Sequence, residues 1–183
     1  MTSSSQQARA ILNQAELIIS AAQVQEAVSN VAVKINTVLA EQHPVVLSVM
    51  GGAVIFTGQL LPRLDFPLDF DYLHVSRYND KQQGGPVRWT VEPRENLVGR
   101  VVLVVDDILD EGETMAAIKQ RVMDMGAARF YSAVFADKQN GKAKPIRADF
   151  VGMKLPNRFV FGYGMDIKGA WRNLPAIYAT KEE

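Results

Sequence analysis

The chain of 183 residues has no cysteine. That excludes disulfides, thiol nucleophiles and thiolate metal sites, and it agrees with a cytoplasmic protein. Histidine is almost as scarce. Only His43 and His74 occur, far apart in sequence, which leaves little basis for a histidine zinc site or a Ser-His triad. Neither sign of charge is in excess: Lys plus Arg number 20, and Asp plus Glu number 20. The basic surplus of a nucleic-acid binder is therefore missing. No apolar run approaches the ~20 residues that span a bilayer, so no membrane partner is expected. The opening stretch MTSSSQQARAILNQ lacks a charged region followed by an apolar core, and does not read as a secretory signal. Internal repeats, low-complexity stretches and linkers are absent too. What is present, 48% hydrophobic and 22% charged residues, suits one globular domain with a sizeable core, over residues 1–183.

Hydrophobic spacing predicts that residues 1–40 are a helical N-terminal region. Ala8, Ile11, Leu12 and Ala15 share one helical face, and Val24, Ala27, Val28, Val31, Ile35, Val38 and Leu39 another, with a soft break at 20–23. Pro44 disfavours helix at His43, and a strand follows over 45–49. Gly51 and Gly52 come directly after it, then a helix carrying Ala53, Phe56, Leu60 and Leu61 and closed by Pro62. Residues 69–76 read as a strand, 77–86 as a polar loop and 87–91 as a short returning strand. The clearest strand is 101–105, VVLVV, an unbroken apolar run of the kind buried on both faces of a parallel sheet. A polar segment at 106–112 leads to a helix with Met115, Ile118, Val122 and Met125 on one side, ended by Gly126. Residues 130–136 form another strand, 138–147 a basic loop, and 159–161 a last apolar segment before an irregular tail. This alternation predicts an α/β fold: an open, mainly parallel sheet flanked by helices, with a small hood from the N-terminal and C-terminal segments.

Ligands of such sheets bind beyond the carboxyl ends of the strands. The polar and Gly-rich residues gather there: Met50, Gly51 and Gly52; Ser76 and Arg77; Asp106 through Thr114; Asp137 and Lys138. The third group is the most informative. A loop feeding a helix N-terminus offers backbone amides and a helix dipole to a phosphate. Gly112 permits close approach, and Thr114 adds a hydroxyl. Asp106 and Asp107 suit ribose hydroxyls or a hydrated magnesium ion.

VVLVVDDILDEGET resembles the PRPP (5-phosphoribosyl 1-pyrophosphate) signature of the type I phosphoribosyltransferases: an apolar strand, two acidic residues, two apolar residues, then Asp-Thr/Ser-Gly-x-Thr. The wider chain resembles the hypoxanthine-guanine branch of that family. VMGG is similar to its Leu-Lys-Gly-Gly pyrophosphate loop, SRYND to the start of its Ser-Tyr flexible loop, ADFVGMKLPNRFVFGYGMD to its purine-site segment, and WRNLP to its closing Arg-x-Leu-Pro. The matches run in order over most of the chain.

The resemblance implies a type I phosphoribosyltransferase fold and a purine-salvage glycosyltransferase. It would join hypoxanthine or guanine to PRPP, with Mg2+ as cofactor, as a homodimer or homotetramer. It also implies roles. Asp110 is the catalytic base that takes the N7 proton. Asp106 and Asp107 hold the ribose hydroxyls and magnesium. Glu111, Gly112, Glu113 and Thr114 cradle the 5′-phosphate. Met50, Gly51 and Arg172 face pyrophosphate. Ser76, Arg77 and Tyr78 belong to the loop that closes over the site, for which 77–86 is the candidate segment. Lys138 donates to the purine 6-oxygen, Phe159 stacks on the base, the Val160 backbone pairs with its edge, and Asp166, also counted in the purine site, holds a second magnesium with pyrophosphate. Met50 stands where the family has Lys, Glu111 where it has Thr or Ser, and Arg77 separates Ser76 from Tyr78.

Other readings use the same residues. An Asp-Asp pair after a valine strand also opens receiver domains, but too little chain follows Asp107. The same fold could serve another base, xanthine above all, or a nucleotide-sensing RNA-binding regulator; the neutral charge gives the latter no support. His43, His74 and the methionines at 115, 123, 125 and 153 read as structural residues. Trp171, beside Arg172, reads as core, interface or site lining.

Overall fold

The computed structural model describes residues 4–77 and 87–181. A six-stranded sheet carries the fold, built from β2 (Val45–Met50), β3 (Asp69–Arg77), β4 (Val87–Val91), β5 (Val101–Leu109), β6 (Arg129–Gln139) and β7 (Phe150–Pro156), in the order β4-β3-β2-β5-β6-β7. All neighbours are parallel except β4, which runs antiparallel on the edge beside β3. The open, mainly parallel α/β sheet predicted from the sequence is thus the observed fold.

The central strands are apolar on both sides because both faces are covered. From β5, Leu103 and Val105 join the cluster under α2 (Ala21–Leu39) and α3 (Val54–Leu60), while Val102 and Val104 join the cluster under α4 (Glu113–Asp124). The same alternation sends Val46, Ala133 and Phe135 one way and Val45, Leu47 and Val134 the other. Each of these side chains is essentially inaccessible, and burial of one such side chain stabilises the fold by about 1.5–3 kcal/mol.

The N-terminal region is not wholly helical. Two helices, α1 (Ser5–Gln14) and α2, are separated by a strand, β1 (Glu16–Ile19). Ser4 and Ser20 each cap a helix in a reciprocal capping box with Gln7 and Gln23, so the chain starts a helix twice. Strand β1 pairs with β9 (Ile177–Ala179), and β9 pairs with β8 (Val160–Phe161). This antiparallel sheet draws on both ends of the described chain and forms a hood. Trp171 Nε1 donates to the Ala8 carbonyl at 2.7 Å, and Arg158 bonds Glu16 at 2.7 Å and the Thr180 carbonyl at 2.9 Å. Trp171 therefore fastens α1 to the hood and lines neither hollow described below.

Four further strands differ from the expectation. Strand β5 runs on to Leu109, so Asp106 and Asp107 lie within it, not in a loop after it. Strand β6 reaches Gln139, which places Lys138 on a strand. Strands β7 and β9 carry too little alternation to stand out in sequence. Asp71, buried at the sheet edge, accepts from the backbone N–H groups of Tyr72 (2.8 Å), Arg94 (2.5 Å) and Glu95 (3.1 Å). Burial works to raise its pKa, but these donors outweigh it and hold the carboxyl below the usual range.

Candidate active site

Strand β2 leads to β3 on one side of the sheet, while β5 leads to β6 and β7 on the other. The strand order therefore reverses between β2 and β5, where a crevice forms at the carboxyl ends. A cleft of about 430 Å³ lies there. Its lining includes Met50, Gly51 and Gly52 after β2, His74 and Val75 on β3, residues 106–112 and 114 along β5 and its turn, and Arg172.

The turn from β5 into α4 is set by Gly112, which sits at φ +83° as the helix N-cap. A side chain there would be strained, and its Cβ would stand 3.3 Å from Lys144 Cβ. No side chain caps α4, so this helix end presents backbone polarity to the cleft, an arrangement suited to an anion.

Asp106 and Asp107 occupy the floor. Backbone N–H groups fix both carboxylates: Asp107 N–H donates to Asp106 at 2.9 Å, and Ile108 N–H to Asp107 at 2.8 Å. Burial, and then the neighbouring Asp107 charge, push the Asp106 pKa well above the carboxylate range. Burial also raises Asp107, although its bonds to Asp106 and Ile108 and the Arg172 charge pull against it. Gly52 makes room for this pair: a Cβ there would lie 2.0 Å from Asp107 Oδ2.

A second hollow of about 240 Å³ opens beside the first and shares Asp107, Ile108, Asp110 and Arg172 with it. Lys138, Phe159, Val160, Met165 and Asp166 complete it. Phe159 is 54% exposed, a flat apolar face open to a ligand. Lys138 Nζ lies 3.0 Å from Asp110 Oδ2. Asn140 also holds Asp110, donating to its carbonyl at 3.0 Å and its carboxylate at 3.3 Å. Arg172 bonds Asp166 at 2.5 Å and the Gly164 carbonyl at 2.6 Å, while Gly169 N–H donates to Asp166 at 2.7 Å.

Met50, Gly51, Asp106, Asp107, Asp110, Glu111, Gly112, Thr114 and Arg172 thus meet in the first cleft, and Lys138, Phe159, Val160 and Asp166 in the second. Glu113 is exposed and lines neither, and Glu111 pairs with Lys142 at 3.3 Å. Ser76 lies outside both hollows, and Arg77 is the last residue of β3. The rest of the predicted closing loop, 78–86, lies outside the described residues. Sequence reasoning missed His74, which lines the cleft although it reads as structural, and also Asn140 and Met165. Met165 had a signal, since it lies in the GYGMD run; His74 and Asn140 come into place only through strand pairing and a turn.

No group of three or more His, Asp or Glu among the described residues makes a ready metal cage. The donor set still fits magnesium, which keeps several waters and takes one or two carboxylates together with substrate phosphates. Two adjacent buried carboxylates that repel each other would be relieved by such an ion.

A model of the phosphoribosyl transferase domain matches residues 18–168. The hypoxanthine-guanine phosphoribosyltransferase of Streptococcus pneumoniae is 30% identical over 169 residues, covering 92% of this chain and 94% of the relative. The hypoxanthine-guanine-xanthine phosphoribosyltransferase of Tritrichomonas foetus is 34% identical over 160 residues, 87% of each chain. The crystal structure of a hypoxanthine phosphoribosyltransferase from Staphylococcus aureus superposes with a TM-score of 0.87 at 25% identity, covering 94% of this chain and 95% of that one.

Proposed function

Because this chain belongs to the phosphoribosyl transferase family, in its hypoxanthine-guanine branch, and is a purine-salvage enzyme, we propose how its own residues join hypoxanthine or guanine to PRPP, giving IMP or GMP and pyrophosphate. One observation carries the assignment: Asp110 stands where the Gly112 turn at the start of α4 meets a pocket with an apolar face and an ammonium.

The ribose 5′-phosphate sits against the turn at Glu111 to Thr114, using backbone polarity at the start of α4. Contact with Glu111 is through its backbone, since its carboxylate is turned to Lys142. Asp106 and Asp107 hold the ribose hydroxyls. The diphosphate lies toward Met50, Gly51 and Arg172. Phe159 stacks on the purine, and the Val160 backbone meets its edge. Lys138 donates to the 6-oxygen; an ammonium cannot accept a hydrogen bond, so it disfavours the 6-amino group of adenine.

In the reaction the bond from ribose C1′ to pyrophosphate breaks as purine N9 bonds to C1′. Asp110 removes the proton from N7, which leaves the purine neutral. A base so placed contributes on the order of 10²–10⁴-fold. Arg172 meets the charge growing on the leaving group. Asp106 and Asp107, and Asp166 for a second ion, would hold magnesium, whose charge neutralises pyrophosphate when bound.

The test is pyrophosphate release from PRPP with hypoxanthine, guanine, xanthine and adenine in turn, with and without magnesium. Turnover with hypoxanthine or guanine, dependent on magnesium and absent with adenine, is the expected result. Turnover with adenine alone, or with no purine, would overturn the assignment.

A further inference from the structure

We infer that His74 is a ligand of the diphosphate group, donating from its imidazole to PRPP and to released pyrophosphate. This inference rests on the proposed use of the cleft as the PRPP site.

The charges around the cleft pose the problem. Among the described residues, four carboxylates line it, from Asp106, Asp107, Asp110 and Glu111, against the guanidinium of Arg172 and the imidazole of His74. A diphosphate entering such a cleft meets strong repulsion unless donors face it. Arg172 is already engaged with Asp166 and the Gly164 carbonyl. His74 is half-buried and has no hydrogen-bond or ion-pair partner among the described residues.

Its position follows from the sheet. His74 on β3 is directly in register with Met50 on β2, the last pair of that parallel ladder. The imidazole therefore stands beside the turn at Met50, Gly51 and Gly52, at the same level of the crevice. Met50 cannot supply a donor there. Its thioether is at most a weak acceptor, and its sulfur lies 3.9 Å from the Ser48 hydroxyl. Of the described side chains lining this end of the crevice beside Met50, His74 is the one that carries an N–H. An unpartnered imidazole in a polar cleft gains a charge-assisted bond when a phosphate oxygen arrives.

Two variants of similar volume separate this role from packing. His74→Met removes the donor, and His74→Gln restores an N–H. Calorimetric titration with magnesium pyrophosphate, steady-state KM for PRPP, and titration with GMP would be measured on both. GMP carries the 5′-phosphate and base but no diphosphate. His74→Met is expected to weaken pyrophosphate binding and raise KM for PRPP by about tenfold or more, with GMP affinity kept within about twofold of wild type. His74→Gln recovers most of the loss. If His74→Met binds pyrophosphate as the wild type does, or loses GMP affinity equally, or if His74→Gln recovers nothing, the inference is wrong. Failure of the wild-type chain to turn over PRPP at all would instead sink the proposed function, so the two failures are distinct.

Discussion

Gly52→Ala should disable this enzyme while leaving it folded. The Cβ of an alanine would lie 2.0 Å from Asp107 Oδ2, 2.6 Å from its Cγ and 3.0 Å from Oδ1. Ordinary contact begins near 3.4 Å, so the carboxylate must retreat by about 1.4 Å, the difference between those distances. It has little freedom to do so, since Ile108 N–H holds it at 2.8 Å. Nor can Gly52 step back easily: its carbonyl lies 2.0 Å from where a Cβ on Gly164 would stand. Overpacking of this kind costs about 1–3 kcal/mol, which lowers Tm by about 2–4 °C per kcal/mol in a chain of this size. A misplacement near 1 Å costs about 10²-fold in rate. The steady-state kcat/KM for PRPP should therefore fall by about 10²-fold while the thermal transition stays cooperative. Gly58→Ala in α3 is the control. Its Cβ meets nothing within 4 Å, and a glycine inside a helix costs roughly 0.5–1 kcal/mol relative to alanine, so that variant keeps activity and gains stability. If Gly52→Ala retains wild-type kcat/KM, Asp107 does not need its observed position, and the assignment of the floor of the cleft fails.

Asp110→Asn should lower kcat by about 10²–10⁴-fold with PRPP affinity little changed; equal losses in both would remove its role as base. Lys144→Met should lower stability by about 1–3 kcal/mol, read from denaturant unfolding, because the partly buried Nζ donates to Leu109 O (2.7 Å), Lys138 O (2.7 Å) and Asp137 Oδ1 (2.5 Å); an unchanged midpoint would show that these bonds add nothing. Asp71 has a folded pKa below its ordinary value of 3.8, so its stabilisation is full above that pH and is lost as pH falls through the folded value. Acid unfolding should accordingly show a smaller pH slope below about 4 in Asp71→Asn than in the wild type, and equal slopes would contradict the bonding described for it.

Much of this was legible in the sequence, for physical reasons. VVLVV could only be a strand covered on both faces, and it is buried on both. The acidic run after it had to lie at the carboxyl end, next to Gly112 and a helix start, and that turn lines the cleft. Less legible was anything fixed by pairing. Glu16–Ile19 reads as part of a helical region until Ile177–Ala179, far along the chain, pairs with it. His74 looks like any strand residue until its register beside Met50 brings it into the cleft. Asn140 lies in a basic turn whose path carries it back to Asp110. Lys138 was recognised by its neighbours in sequence, but its bond to Asp110 required β5 and β6 to run side by side.

The most direct measurement is a crystal structure with GMP bound. The 5′-phosphate should lie on the backbone of Glu111 to Thr114, the ribose hydroxyls at Asp106 and Asp107, and the guanine on Phe159 with its 6-oxygen at Lys138 Nζ. A nucleotide seated elsewhere, with that turn bare at saturating GMP, would contradict the assignment.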